Sequence, residues 1–153
     1  MTNAVPTNAV PTSTAPTSTV PTSAVPTSTE LLGAERYVLM TTFRKTGVGV
    51  PTAVWVGRDG DTLLVTTRDD AGKVKRVRNN GRVELTPCDI RGNVEDGAIT
   101  YSGTAEVFTD PETRATLTTI FSEKYAERWF EMRAASDKRD PKPVSVSVRI
   151  TLD

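Results

Sequence analysis

The last stretch of the chain has the plainest pattern. Val144, Val146, Val148, Ile150 and Leu152 are apolar, and Ser145, Ser147, Arg149 and Thr151 between them are polar. Side chains of a strand alternate between its two faces, so this period of two predicts a half-buried strand over 144–152. Earlier segments read the same way. Arg36 to Phe43 is a mostly buried strand, followed by a turn through Arg44-Lys45-Thr46-Gly47 in which Gly47 suits a positive φ. Val48 to Val56 returns as a second strand. Pro51 inside it cannot donate to a ladder, which places that strand at an edge or a bulge. Asp59-Gly60 is a hairpin signal before a third strand, Thr62 to Thr67. Arg82 to Cys88 and Ile99 to Phe108 supply a fourth and a fifth. Helical patterning interrupts the strands twice. Gly72 to Val83 opens as a short basic helix anchored by Val74 and Val77. Asp110-Pro111-Glu112 then starts a longer helix, with Asp as cap, Pro at the first helical position and Glu near the positive end of the dipole. Leu117, Ile120 and Phe121 form its core face, and Trp129-Phe130 marks a helix end or break. Six antiparallel strands with one short and one longer helix predict a mainly β, α+β domain closed into a small barrel, because closure removes exposed edges.

The first 29 residues follow another rule. Proline recurs at every fifth position, Pro6, Pro11, Pro16, Pro21 and Pro26, each followed by Thr, and no charge appears before Glu30. Such spacing forbids both helix and central strand, so residues 1–29 are expected to be a disordered or PPII-like tail and residues 30–153 the folded domain. The tail lacks the basic start and continuous apolar stretch of a secretory signal.

Charge and rare residues narrow the function classes. Nineteen Lys and Arg balance nineteen Asp and Glu, so no global field favours nucleic acid or an anionic membrane surface. No apolar run approaches the roughly 20 residues of a spanning helix, and a cytoplasmic location is expected. Histidine is absent and Cys88 is the lone cysteine, which removes the commonest general base, an intrachain disulfide and a cysteine-built zinc site; no metal is expected. An enzyme built this way takes its chemistry from a cofactor.

The candidate chemistry lies in the basic stretch. Lys73, Lys75 and Arg76 follow a strand end, Lys73 and Arg76 share a helical face, and Gly72 lets a ligand approach the backbone. Fixed cations beside free helix-start N–H groups make an anion cradle. The same residues also read as a solvated surface helix.

Several spaced runs carry a resemblance: Arg36 to Gly47, Val50-Pro51-Thr52-Ala53-Val54-Trp55-Val56, Gly60 to Leu63, Gly72-Lys73-Val74-Lys75-Arg76, and Arg82 to Gly92. In this order they resemble the flavin/deazaflavin oxidoreductases of the split β-barrel superfamily, and most of all the "PPOX class" branch dependent on coenzyme F420. Pyridoxamine-phosphate oxidase is a more distant FMN-binding relative. The resemblance implies a six-stranded split β-barrel and a homodimer with cofactor grooves at its interface. It further implies that Lys73, with Lys75 and Arg76 beside it, binds the cofactor phosphate and tail. Thr41, Thr42, Val54, Trp55, Thr66 and Thr67 would surround the ring, although these positions also read as ordinary strand residues, and Trp55 as an interface residue. Trp129 and Phe130 would come from the partner subunit to close the pocket. The implied function is hydride transfer between reduced F420 and a small unsaturated or quinone-like acceptor, with FMN as the alternative cofactor and a non-catalytic F420 or FMN carrier as the alternative role. No catalytic side chain is assigned. The missing histidine argues against oxidation of pyridoxamine phosphate.

Overall fold

The computed structural model describes residues 25–153, so the expected repeat tail lies outside the described residues up to position 24. The first helix, α1 (Ser28–Gly33), takes in Ser28 and Thr29, so the folded part begins two residues before the position the proline repeat predicts. A capping box explains this boundary: the Glu30 N–H donates to Thr27 Oγ1, and the Thr27 N–H donates to the Glu30 carboxylate.

Seven strands follow rather than six: β1 (Tyr37–Phe43), β2 (Gly49–Val54), β3 (Gly57–Asp59), β4 (Thr62–Arg68), β5 (Arg82–Cys88), β6 (Tyr101–Phe108) and β7 (Ser145–Leu152). They form one antiparallel sheet in the order β2-β1-β5-β6-β7-β4-β3. The extra strand comes from Val48–Val56, where one strand was expected. That segment pairs with β1 as far as Val54, and the chain resumes two residues later as β3 on the opposite edge, against β4. The sheet therefore curls until its edges are separated only by Trp55 and Val56, yet no ladder closes it. Pro51 sits in β2, at an edge, where its missing N–H costs no ladder bond. Gly47 and Gly60 take φ of 91° and 58° in the two turns flanking β2 and β3.

The interior is filled by Val38, Met40, Val54, Leu63, Val65, Val83, Leu85, Val148 and Ile150 from the strands, with Leu32 and Val77 from α1 and α2 (Gly72–Asn79) packed against them. A second layer lies outside. The helix α3 (Pro111–Tyr125), capped by Asp110 as its sequence predicts, packs Leu117, Phe121 and Tyr125 onto Leu64 of β4. Leu63, Leu64 and Val65 are thus all buried, which is why β4 reads as a continuous apolar run. Gly57 permits this closeness: a Cβ there would meet Ile120 Cγ2 at 2.6 Å.

The longer helix breaks at Ala126, and α4 (Glu127–Asp137) leaves in a new direction. Ala126 has φ 48° and ψ −120°, a region that favours glycine. Replacing Ala126 by glycine is expected to stabilise the fold by roughly 1 kcal/mol, read as a higher denaturation midpoint with unchanged slope.

Candidate functional site

Where β2 ends and β4 ends, a cleft of about 440 Å³ opens. Val54 and Trp55 form one wall, Thr66, Thr67 and Arg68 the next, and Lys73 of α2 reaches in from the following turn. Met132, Ala135 and Ser136 of α4, with Arg139 beyond it, cover the opposite side. Each position follows from the fold. The strand ends are adjacent because the sheet curls, and α4 lies over them because the break at Ala126 turns it back.

Trp55 is held rigidly. Its ring stacks on Tyr125 with centroids 4.3 Å apart and planes within 10°. Thr66 Oγ1 accepts a hydrogen bond from Arg114 Nη1 at 3.2 Å. Three cations, Arg68, Lys73 and Arg139, face the cleft, and among the described residues that line it there is no carboxylate. Arg68 is paired outward to Asp70 at 2.9 Å. Lys73 is half-buried; loss of solvent and then the nearby Arg76 charge hold its pKa below the usual lysine range. No ion pair holds it among the described residues. A half-buried lysine with no carboxylate beside it among the described residues leaves a positive charge facing the cleft.

Of the residues singled out in the sequence, Val54, Trp55, Thr66, Thr67 and Lys73 converge on this cleft. The others lie elsewhere. Thr42 is buried and accepts from Arg76 Nε at 2.7 Å, while Thr41 points to the opposite face of β1 and does not line the cleft. Lys75 and Arg76 border a separate shallow depression with Arg44 and Lys45. The space beside Gly72 is taken by the Arg76 guanidinium, 2.9 Å from where a Cβ would be, so that glycine accommodates a side chain of its own helix.

Trp129 corrects an expectation. It is 2% exposed and meets Phe121 edge-on at 5.6 Å within its own chain, so it is not free to reach a partner's pocket. Phe130, next to it, is 61% exposed. The sequence pattern missed Arg68, Met132, Ser136 and Arg139. Arg68 directly follows the predicted strand and could have been added by extending it. The α4 residues carried no local signal, because only the backbone turn at Ala126 places them.

No helix among the described residues is long and apolar enough to cross a membrane. No curated protein matches the chain in sequence. Solved structures share its fold. A conserved hypothetical protein of Mycobacterium tuberculosis is 21% identical, with 84% of this chain and 81% of that one covered at a TM-score of 0.62. An F420 reductase is 20% identical, covering 84% and 96% at 0.58. A heme storage protein of Vibrio cholerae is 10% identical, covering 78% and 83% at 0.60. At these identities the likeness is one of fold. The family model for pyridoxamine 5'-phosphate oxidase matches residues 25–151, essentially the whole described barrel with its helices, and the chain belongs to that family.

Proposed function

We propose that this chain is an oxidoreductase that binds coenzyme F420 in the cleft and serves hydride transfer to a small unsaturated or quinone-like acceptor. The observation that carries the reading is Lys73: a half-buried ammonium that, among the described residues, has no counterion and faces a cleft lined by cations and apolar surface but no acid. That donor set fits an anionic cofactor with a flat ring. Lys73 would take the phosphate, charge-assisted and partly desolvated, and Trp55, fixed by Tyr125, would present a rigid wall to the ring. Thr66 and Thr67 would offer hydroxyls and backbone groups along its edge, and α4 would exclude water from that side. Bound and reduced, the deazaflavin itself would supply the hydride. The chain's part is then to orient and to desolvate, which requires no nucleophile.

The exposed Phe130, with Ile90 and Ile99, supports the further proposal of a homodimer, since large apolar side chains left in water are suited to an interface. That no carboxylate lines the cleft among the described residues also fits a second reading, a cofactor carrier without turnover.

The test is a fluorescence titration with F420 and, separately, with FMN at one salt concentration, followed by mixing the reduced complex with quinone acceptors. We expect micromolar or tighter F420 binding and acceptor-dependent reoxidation. Tight binding without reoxidation would favour the carrier, FMN binding alone would replace the cofactor, and binding of neither would defeat the proposal.

A further inference from the structure

A smaller pocket of about 230 Å³ lies beside the cleft and shares Pro143 and Ser145 with it. Its walls bring together Arg114 of α3, Arg133 of α4, and Ser145 and Ser147 of β7. The two arginines are not in ordinary ion pairs. Arg114 donates to Thr66 Oγ1 and has no carboxylate partner among the described residues. Arg133 approaches Asp137 only to 3.9 Å, and that carboxylate is held closer by Lys142, at 3.1 Å. Burial, and then the Arg133 charge, push the pKa of Arg114 below its usual range. The acid on the wall, Asp110, turns its Oδ2 to the Thr113 N–H and hydroxyl, each at 2.8 Å, as the cap of α3.

Ser147 is the second anomaly. It is 2% exposed, lines the pocket, and its hydroxyl has no hydrogen-bond partner among the described residues. In the sheet it stands directly opposite Thr66, the residue that receives the Arg114 bond. Opposed residues of neighbouring strands share a face, so Ser147, Thr66 and Arg114 are neighbours. A buried hydroxyl without a protein partner is costly, and so is a guanidinium partly drawn out of water beside a second one. One group removes both costs.

We propose that this side pocket is an oxyanion subsite, which takes a carboxylate or phosphate group between the Arg114 guanidinium and the Ser147 hydroxyl, with Arg133 alongside. Arg114 has four N–H donors left after Thr66, enough for a two-point grip on an oxyanion. Ser147 offers its hydrogen to the same group. Because the two cavities share Pro143 and Ser145 as lining residues, the anion is either the far end of a molecule lying in the cleft or a separate ion, and titration with F420 present separates the two.

The experiment is calorimetric titration of the full chain with inorganic phosphate, chloride being exchanged to keep ionic strength constant. Arg114→Gln is expected to weaken phosphate binding at least about tenfold. Ser147→Ala should weaken it about threefold while leaving the thermal midpoint unchanged or raised, because it removes an unpartnered buried hydroxyl. Lys73→Ala serves as the cleft control and should leave the Arg114-sensitive binding in place. Wild-type phosphate affinity in Arg114→Gln would overturn the subsite, and so would a Ser147→Ala chain that loses stability but not phosphate. Repeating the titration with F420 present separates the sources. Displaced phosphate assigns the subsite to an anionic end of the cleft ligand, and retained phosphate assigns it to a separate anion. The phosphate arms contain no cofactor, so they decide the subsite even if F420 fails to bind.

Discussion

Lys124→Met is expected to lower the free energy of unfolding by roughly 3 kcal/mol, the largest stability loss we anticipate from one side chain. The reason lies in the gap where β2 and β3 fail to pair. Val56 crosses that gap fully buried, and its backbone groups have no ladder partner. Helix α3 supplies partners instead. Tyr125 Oη accepts from the Val56 N–H at 3.0 Å and donates to Arg36 O at 2.7 Å. Lys124 Nζ donates to Val56 O at 2.6 Å, to Gly33 O at 2.7 Å and to Glu35 O at 2.5 Å. Three carbonyls match the three N–H bonds of one ammonium. Methionine keeps the apolar stem but leaves these acceptors unpaired, at about 1–3 kcal/mol for each buried group that water cannot reach. Denaturant unfolding at pH 7 measures the change. A loss under about 1 kcal/mol would mean that water reaches the gap.

The same residue gives a pH signature. Burial first, and then the Arg36 charge, pull the Lys124 pKa down to about 8, against the opposing pull of Glu35. The folded state therefore releases this proton before the unfolded state does. Between about 8 and the ordinary value of 10.5 the unfolded chain binds more protons, so stability rises with pH, the cost of burying the charge outweighing the three carbonyl bonds that favour it. Tyr125 acts in the other direction and later. Its pKa is raised to about 12 by burial, so its contribution is whole below the ordinary value of 10 and is lost as pH rises through 12. The stability difference between wild type and Lys124→Met should thus widen from pH 8 to pH 10. A flat difference over that range would show that Lys124 titrates as it does in the unfolded chain.

The gap also shows where the sequence was legible. Local chemistry was readable: the Asp110 cap, the positive φ at Gly47, and Pro51 on an edge strand all depend on neighbours in sequence. Long-range arrangement was not. Val48–Val56 has the pattern of one strand, and only the curl of the sheet makes its two ends serve opposite edges. Ser147 alternates like a solvent-facing residue, but α3 and α4 cover that face of β7, and it is Val144 that is 61% exposed. Trp129 looked like an interface aromatic because its sequence shows a break nearby but not that the turned helix packs back on Phe121. In the basic helix, spacing put Lys73 and Arg76 on one face. The Thr42 hydroxyl then drew Arg76 inward, and Lys73 alone was left to the cleft.

That division makes Lys73 the sharpest test of the proposed site. Lys73→Ala is expected to weaken F420 binding at least about tenfold without lowering the thermal midpoint. The two outcomes follow from one cause. The lowered pKa of Lys73 means that the folded chain disfavours its charge, so alanine relieves a desolvated ammonium held beside Arg76. An ordinary surface or core lysine would behave otherwise: its loss would leave ligand affinity alone, or would lower stability and affinity together. Protonation adds a third readout. An anion bound to Lys73 favours the charged form, so affinity should fall as pH rises through the lowered pKa, at lower pH than for an exposed lysine, and Lys73→Ala should abolish that dependence. Lys75→Ala is the matched control, since it removes a cation from the same helix that borders the other depression, and it should change affinity by less than about twofold. If Lys75→Ala and Lys73→Ala weakened binding equally, the helix would be acting as a diffuse positive surface rather than through one placed ammonium.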